Sequence, residues 1–390
     1  MGVLWLTVAA FAIGTEAYVI AGLLPIIATD MQISVAAGGQ LVTVYALTYA
    51  LVSPILAVAF TNLDRRNLLI LALCGFVAGN LLAVVAGSFP MLLVSRMLMA
   101  LGAGVYMPMA ISIAVAIAPP DRRGRAVAMV MSGIAVATVL GVPFGTLIGD
   151  RYGWRATFAS VAVLGAIALV SLLFGLPRGL PRTTATLGQR LAVARHGAVL
   201  HALATTALWA TGCLTVYTYL SIPLHGLGFS ASDISLALFV FGSAAAIGNM
   251  LGGTLSDRIG HMPTASLGLF SLTIALTLQS VALKFATPEH ARSLMLLLVF
   301  CSGVGAWAFF PAQVANIVRL EPEVSIIALS LNASAMYLGF AMGGAAGGIV
   351  LAVLNPSDLG WVGGCSAAAA LVLLLLRGWQ VQPRLQKIAG

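Results

Sequence analysis

The sequence predicts an all-α integral membrane protein of twelve transmembrane helices, arranged as two pseudo-symmetric six-helix bundles. Three observations predict this. First, 61% of the 390 residues are hydrophobic and 8% are charged, against about 25% charged in a soluble domain. So few charges cannot cover the apolar surface of a soluble fold this long, so lipid must solvate it. Second, apolar runs of about 20 residues recur along the chain, each long enough to cross a hydrocarbon core of about 30 Å. Third, the basic residues fall on alternate loops.

The spans follow in order. The first run covers 3–29. No basic segment precedes it, and it is too long for a signal-peptide core, so it is expected to stay as a helix. The next five runs cover 39–61, 68–86, 91–118, 124–149 and 154–176. A polar stretch from Pro177 to Gly197 then carries Arg178, Arg182, Arg190 and Arg195 and no acid. Six more runs follow at 199–224, 233–256, 262–284, 292–318, 325–353 and 358–378. The predicted organisation is an N-terminal bundle at 1–176, a cytoplasmic basic linker at 177–198 and a C-terminal bundle at 199–390.

With the N-terminus in the cytoplasm, one side receives Arg65, Arg66, Arg122, Arg123, Arg125, the four linker arginines, Arg258, Arg319, Arg377, Arg384 and Lys387. Arg151, Arg155, Lys284 and Arg292 fall on the other side, and Arg96 lies inside the fourth span. The positive-inside rule then places both termini in the cytoplasm. The net charge of +8 is accounted for by these loops and by anionic lipid, so no nucleic-acid partner is expected. Cys74, Cys213, Cys301 and Cys365 stand apart within apolar runs and have no metal-ligand spacing, so no metal is expected.

The halves repeat each other. Span 5 has Leu140-Gly141-x3-Gly145 and span 11 has Leu338-Gly339-x3-Gly343. Span 4 has Gly102-x-Gly104, Tyr106 and Pro108, and span 10 has Gly303-x-Gly305, Trp307 and Pro311. Gly153-Trp154 opens span 6 and Gly360-Trp361 opens span 12. Matches in this order point to a duplicated six-helix unit, with the small residues letting helix backbones approach.

On these residues the chain resembles the major facilitator superfamily. The loop after span 8 reads Gly253-Thr-Leu255-Ser-Asp257-Arg258-Ile-Gly260, similar to the family's GxLaDrxGrr signature, with His261 in place of an arginine. The loop after span 2, Thr61-Asn62-Leu63-Asp64-Arg65-Arg66, keeps only the paired arginines. Arg96 to Gly104 resembles the family's RxxqGxGaa motif. Gly133, Gly141, Pro143 and Gly145 resemble its antiporter motif, although Val142 separates the usual Gly-Pro pair. The segment Gly14-Thr15-Glu16-Ala17-Tyr18-Val19-Ile20-Ala21-Gly22-Leu23-Leu24-Pro25 resembles the drug:proton antiporter group, with its bacterial sugar, arabinose, purine-nucleoside and chloramphenicol exporters. The resemblance implies the major facilitator fold and export by antiport. It also implies gating or structural roles for Gly253, Asp257, Arg258, Gly141, Pro143 and Gly145.

One acid stands inside a span. Glu16 lies near the middle of the first, and the other ten acids fall in loops or at helix ends. A carboxylate at the bilayer centre costs roughly 2.5–3.5 kcal/mol on insertion scales. Such a group either couples transport to protons or is a structural glutamate bonded to a neighbouring helix. Arg96 is the one intramembrane base and always keeps its charge. It either serves as the fixed counter-charge or binds helix-end carbonyls. Counting along the helices puts Glu16 about two turns deeper than Arg96, which predicts coupling through water or a polar side chain rather than contact.

Substrate is expected near mid-membrane, where aromatic and amide side chains recur at helical spacing. The candidates are Tyr45 and Tyr49 on span 2, Trp209 and Tyr217 on span 7, Trp307 and Phe310 on span 10, and Asn332, Met336 and Tyr337 on span 11. Asn80, Asn249 and Asn316 need partners as any amide in lipid does, as substrate contacts or as glue between helices.

No phosphate-binding loop or nucleophile motif is present in the sequence, so no cofactor is expected and the proton gradient is the expected drive. The expected function is secondary active export of drugs, sugars or nucleosides by proton antiport, without enzymatic activity. The alternatives are a proton symporter or facilitator for uptake, and a membrane receptor without translocation. The expected partners are a small-molecule substrate, protons and the lipid bilayer. The expected setting is a monomer in the bacterial inner membrane.

Overall fold

The computed structural model describes residues 2–59, 64–176, 196–320 and 325–386. Most of the expected linker 177–198, its four arginines included, lies outside the described residues. Among the described residues the chain is helical, without strands. The helices are α1 (Gly2–Asp30), α2 (Gln40–Ala59), α3 (Arg65–Val84), α4 (Phe89–Ile117), α5 (Arg123–Tyr152) and α6 (Trp154–Gly175), followed by α7 (Gly197–Tyr217), α8 (Ala231–Ile259), α9 (His261–Phe285), α10 (Pro288–Leu320), α11 (Ser325–Val353) and α12 (Leu359–Gln386). Eleven described helical segments are long and apolar enough to cross a membrane, and α2, behind the short turn Val35–Gly38, makes the twelfth.

The boundaries follow local chemistry. Asp64 caps α3, its carboxylate accepting from the Arg66 N–H at 3.0 Å, as helix N-termini favour. Gly153, at φ 85°, makes the turn between α5 and α6, a conformation that suits glycine. Pro25, Pro108 and Pro311 sit inside α1, α4 and α10, which membrane helices tolerate when neighbours satisfy the freed carbonyls. The expected seventh span at 199–224 is found at Gly197–Gly226, but not as one helix: α7 stops at Tyr217 and a short helix covers Ser221–Gly226.

By contacts the chain forms two units, Met1–Leu187 with Thr218–Gly242, and Gly188–Tyr217 with Ser243–Gly390. In the first, α1 packs on α5 and α6, and α3 on α4 and α6. In the second, α7 packs on α11 and α12, and α9 on α10 and α12. The same pairings recur six helices later, so the duplication in the sequence is realised in the packing of each unit. Glycines set the close seams: a Cβ on Gly102 would lie 2.5 Å from the Ala72 carbonyl oxygen, and one on Gly339 would lie 2.3 Å from that of Ala207.

Within the first unit, the start of the Ser221–Gly226 helix reaches the second half of α1, where Ser221 Oγ donates to the Ala21 carbonyl at 2.9 Å. Tyr219 fills the space beside Gly39, where a Cβ would stand 1.7 Å from its hydroxyl oxygen. Thus the break before α2 is occupied by a tyrosine ring that any larger residue would displace.

Candidate functional site

Three helices of the first unit hold a buried charge pair. Glu16 on α1 and Arg96 on α4 are both 0% exposed, and Glu16 Oε1 and Arg96 Nη1 are in direct contact. This corrects the expectation that the two stand apart. Depth counted from helix ends assumes that the ends are level. A helix of 29 residues such as α1 or α4 runs about 43 Å, well beyond a core of about 30 Å, so helix ends supply no common level from which to count. The long arginine stem adds reach of its own.

The guanidinium is held from other sides too. Arg96 Nε donates to the Leu41 carbonyl on α2 at 3.1 Å, and Nη1 lies 3.5 Å from the Glu16 carbonyl oxygen and 4.0 Å from Met99 Sδ. One turn on from Leu41, the Tyr45 ring packs against it with its centroid 4.4 Å from Cζ, a cation–π arrangement. Arg96 therefore meets a carboxylate and a backbone carbonyl at once, the carbonyl lying near the start of α2. Among the described residues Glu16 is the one buried acid. Its Oε2, the Arg96 Nη2 and the neighbouring Thr15 Oγ1 are buried without a hydrogen-bond partner there. The pair thus retains one open acceptor and one open donor. Tyr49, one turn beyond Tyr45, is also buried.

The position of Glu16 is set by a glycine seam between α1 and α5. On α5, a Cβ at Gly133 would lie 2.4 Å from the Thr7 carbonyl oxygen, at Gly141 2.0 Å from Thr15 Oγ1, and at Gly145 2.8 Å from Val19 Cγ2. On α1, a Cβ at Gly22 would lie 2.1 Å from Thr146 Oγ1. In a regular helix the eight steps from Gly133 to Gly141 turn about 800°, which leaves the two glycines about 80° apart in facing. A π turn at Ala137–Gly141, closed by the Val142 N–H on the Ala137 carbonyl, absorbs one residue. Seven effective steps turn about 700° and bring Gly141 back within about 20° of Gly133. The residue that separates Gly141 from Pro143 in the sequence is thus taken up by the π turn. Pro143 carries no N–H to close a regular turn behind it. The Thr138 carbonyl of this turn faces Gly242 on α8, where a Cβ would lie 2.2 Å away.

The second unit carries two adjoining clusters. Trp209 on α7 stacks on Phe310 of α10 at 5.8 Å, packs at 5.2 Å on Phe309, and meets Trp307 edge-on at 6.1 Å. Trp307 and Phe310 meet at 6.0 Å. One turn along both helices, Gln313 Nε2 donates to the Ala202 carbonyl at 2.8 Å and to Thr206 Oγ1 at 3.2 Å. Thr206 Oγ1 donates to Asn332 Oδ1 at 2.7 Å, and Asn316 Nδ2 donates to Gln313 Oε1 at 3.2 Å. Asn332 therefore ties α11 to α7 through its carbonyl oxygen. Gln313, the hub, was not singled out from the sequence, although an amide in an apolar run is the same signal that marked Asn332 and Asn316. Tyr337 meets Phe340 edge-on at 5.3 Å, and Tyr217 is buried at the end of α7.

The loops divide differently from expectation. Arg65 donates to Ser112 Oγ at 2.7 Å and Arg66 Nε to the Leu176 carbonyl at 3.1 Å, so these arginines tie α3 to the ends of α4 and α6. At the end of α8, Gly253 has open space around it, and Asp257 and Arg258 are exposed. No hydrogen bond or ion pair holds Asp257 or Arg258 among the described residues. His261 Nδ1 lies 3.4 Å from Arg319 Nη1.

The sequence profile of the Major Facilitator Superfamily matches residues 6–227 and 203–389. The MFS-type transporter YbcL of Bacillus subtilis (strain 168) is 35% identical over 372 residues, 95% of this chain and 94% of that protein. The inner membrane transport protein YdhP of Escherichia coli (strain K12) is 32% identical over 373 residues, 95% and 94% of the two chains. Among solved structures, a D-xylose–proton symporter superposes with a TM-score of 0.78 at 18% identity, covering 95% of this chain and 96% of the other. A bacterial homologue of the lysosomal transporter Spinster superposes with a TM-score of 0.72 at 20% identity, covering 96% and 94%.

Proposed function

The chain belongs to the Major Facilitator Superfamily, and on that premise we propose that this multi-pass membrane transporter exports small organic molecules in exchange for protons. The observation that carries the coupling is the Glu16–Arg96 pair, fully buried and in contact, with Glu16 Oε2 and Arg96 Nη2 open. A proton on Glu16 cancels its charge and leaves Arg96 without its partner. Breaking a buried pair by removing one partner costs about 3–5 kcal/mol. Each 1.4 kcal/mol is a tenfold change in an equilibrium, so loading and losing the proton biases a conformational equilibrium by orders of magnitude. That is what alternating access driven by a proton gradient requires. Arg96 stays charged throughout, and Tyr45 and the Leu41 carbonyl keep it in place when the carboxylate lets go.

Export rather than uptake is supported by the resemblance of Gly133, Gly141, Pro143 and Gly145 to the antiporter motif. Drugs, sugars and nucleosides are the substrate classes. The setting is a bacterial inner membrane, with both termini cytoplasmic and a monomer as the working unit.

The test is Glu16→Gln in proteoliposomes with a pH gradient. The amide keeps the size of the side chain and cannot cycle a proton. Gradient-driven transport is expected to disappear while gradient-free exchange of substrate persists. Gradient-driven transport at the wild-type rate would exclude Glu16 as the coupling group. Direction is read in everted vesicles: accumulation against an inward-acid gradient supports export, and release excludes it.

A further inference from the structure

The aromatic cluster of the second unit contains a donor with nothing to bond. Trp209 is 1% exposed, and its indole Nε1–H has no hydrogen-bond partner among the described residues. Buried polar groups in folded proteins are nearly always paired, so an orphan of this kind needs a partner from outside the chain or a functional reason. The surrounding groups narrow the choice. Trp209 is twelve residues into α7, roughly 18 Å along it, and Trp307 and Phe310 are ten to thirteen residues from the end of α10. Both positions lie near the middle of a spanning helix.

The ring system is sided. Phe309 is wholly buried, whereas Trp307 and Phe310 are half-buried and keep part of their ring surface reachable. Next to it, the Thr206, Gln313 and Asn332 network is bonded internally and ties α7, α10 and α11 together. This holds Trp209 and Phe310, each one turn from a network member, in fixed register. No acidic or basic side chain takes part in either cluster.

We propose that Trp209, Trp307 and Phe310 form a substrate subsite for an uncharged, planar aromatic ring bearing a hydrogen-bond acceptor. The ring stacks on Phe310 and displaces Trp307 from its edge-on contact, and the acceptor takes the Trp209 N–H. Uncharged rings fit because the cluster supplies π faces and one neutral donor. This subsite names a substrate class for the transporter proposed above and rests on that reading.

Coumarin, an uncharged planar lactone with a carbonyl acceptor, is the probe. Octahydrocoumarin, with the same lactone and no aromatic ring, is the comparator. Both are radiolabelled and measured by equilibrium dialysis against the purified full-length chain in detergent, without any gradient. Coumarin is expected to bind about fivefold more tightly than octahydrocoumarin, the range given by one stacking contact. Trp209→Phe keeps a ring and removes the donor, and it is expected to weaken coumarin about fivefold. Phe310→Leu keeps the bulk and removes the π face, and it is expected to erase the preference for coumarin over its comparator. Both variants are first matched to wild type by size-exclusion profile and thermal midpoint. Equal binding of the two probes by wild type, no measurable coumarin binding, or an unchanged affinity in folded Trp209→Phe would each overturn the subsite. Because no gradient is present, failure here leaves the coupling role of Glu16 standing, and failure of Glu16→Gln leaves this measurement standing.

Discussion

Replacing Gly141 by alanine tests how the α1–α5 seam holds the charge pair. The added Cβ would stand 2.0 Å from Thr15 Oγ1, 3.0 Å from its Cβ and 3.1 Å from its Cγ2, where ordinary contact begins at 3.4 Å. Rotating Thr15 relieves this only in part, because the 3.0 Å contact with its Cβ stays whatever the rotamer. In a helix such β-branched side chains also have few rotamers to use. The seam must therefore open locally by about 0.4 Å, the difference between 3.4 and 3.0 Å, if Thr15 rotates, and by about 1.4 Å if Oγ1 stays where it is. Overpacking of this size costs about 1–3 kcal/mol. Thr15 adjoins Glu16, so the strain reaches the carboxylate that meets Arg96. A lower thermal midpoint in detergent is expected, together with gradient-driven transport reduced by about tenfold or more, as sub-ångström positioning is lost. Thr15→Ala removes Oγ1 and Cγ2 and leaves only the 3.0 Å contact, and Thr15 Oγ1 has no hydrogen bond to lose. The double variant should thus recover most of both losses, a coupling that the cycle of single and double variants measures directly. A neutral Gly141→Ala, or a double variant no better than the single one, would refute the seam as the support of the pair.

Arg96→Met leaves Glu16 buried beside a neutral side chain and is expected to destabilise the protein by about 3–5 kcal/mol. Adding Glu16→Gln should restore much of that loss in the same thermal measurement, because no buried charge then remains. Asn332→Leu removes one acceptor of the Thr206 hydroxyl, which keeps the Ala202 carbonyl at 3.1 Å, and about 0.5–1.5 kcal/mol of destabilisation is expected from the lost tie between α11 and α7. Thr206→Val added to it also removes the acceptor for the Gln313 amide at 3.2 Å, so a further loss of about 1–3 kcal/mol is expected. At Gly39, alanine would place a Cβ 1.7 Å from the Tyr219 hydroxyl oxygen, 2.5 Å from Cζ and 2.8 Å from Cε1, so its expected cost of about 1–3 kcal/mol should persist with Tyr219→Phe added, which keeps the ring, and fall with Tyr219→Leu, which the midpoints compare.

Much of the fold was legible because membrane insertion is a local property. An apolar run of about 20 residues declares a span without reference to anything else, and the expected run 154–176 became Trp154–Gly175. The seventh span is present at Gly197–Gly226, but its break was not legible, because hydropathy continues through Thr218–Leu220 while the backbone breaks there to place Tyr219 and Ser221 against Gly39 and Ala21. Glu16 and Arg96 were visible as candidates because each is a charge where lipid forbids one. Gln313 was missed because a lone glutamine in a span says nothing of the three partners that make it a hub.

The number and place of the spanning helices, the duplication and the identity of the buried acid are thus properties of the sequence by itself. They depend on residue types within one turn or one span. The tertiary structure alone decided that Glu16 touches Arg96, eighty residues on, because their relative height depends on how α1 and α4 are set against each other and on the reach of the arginine stem. It alone decided that Val142, an extra residue in the glycine pattern, is absorbed by a π turn. Helix facing accumulates at about 100° per residue, and where that error is corrected is settled by the neighbouring helix, here the close backbone approach of α1.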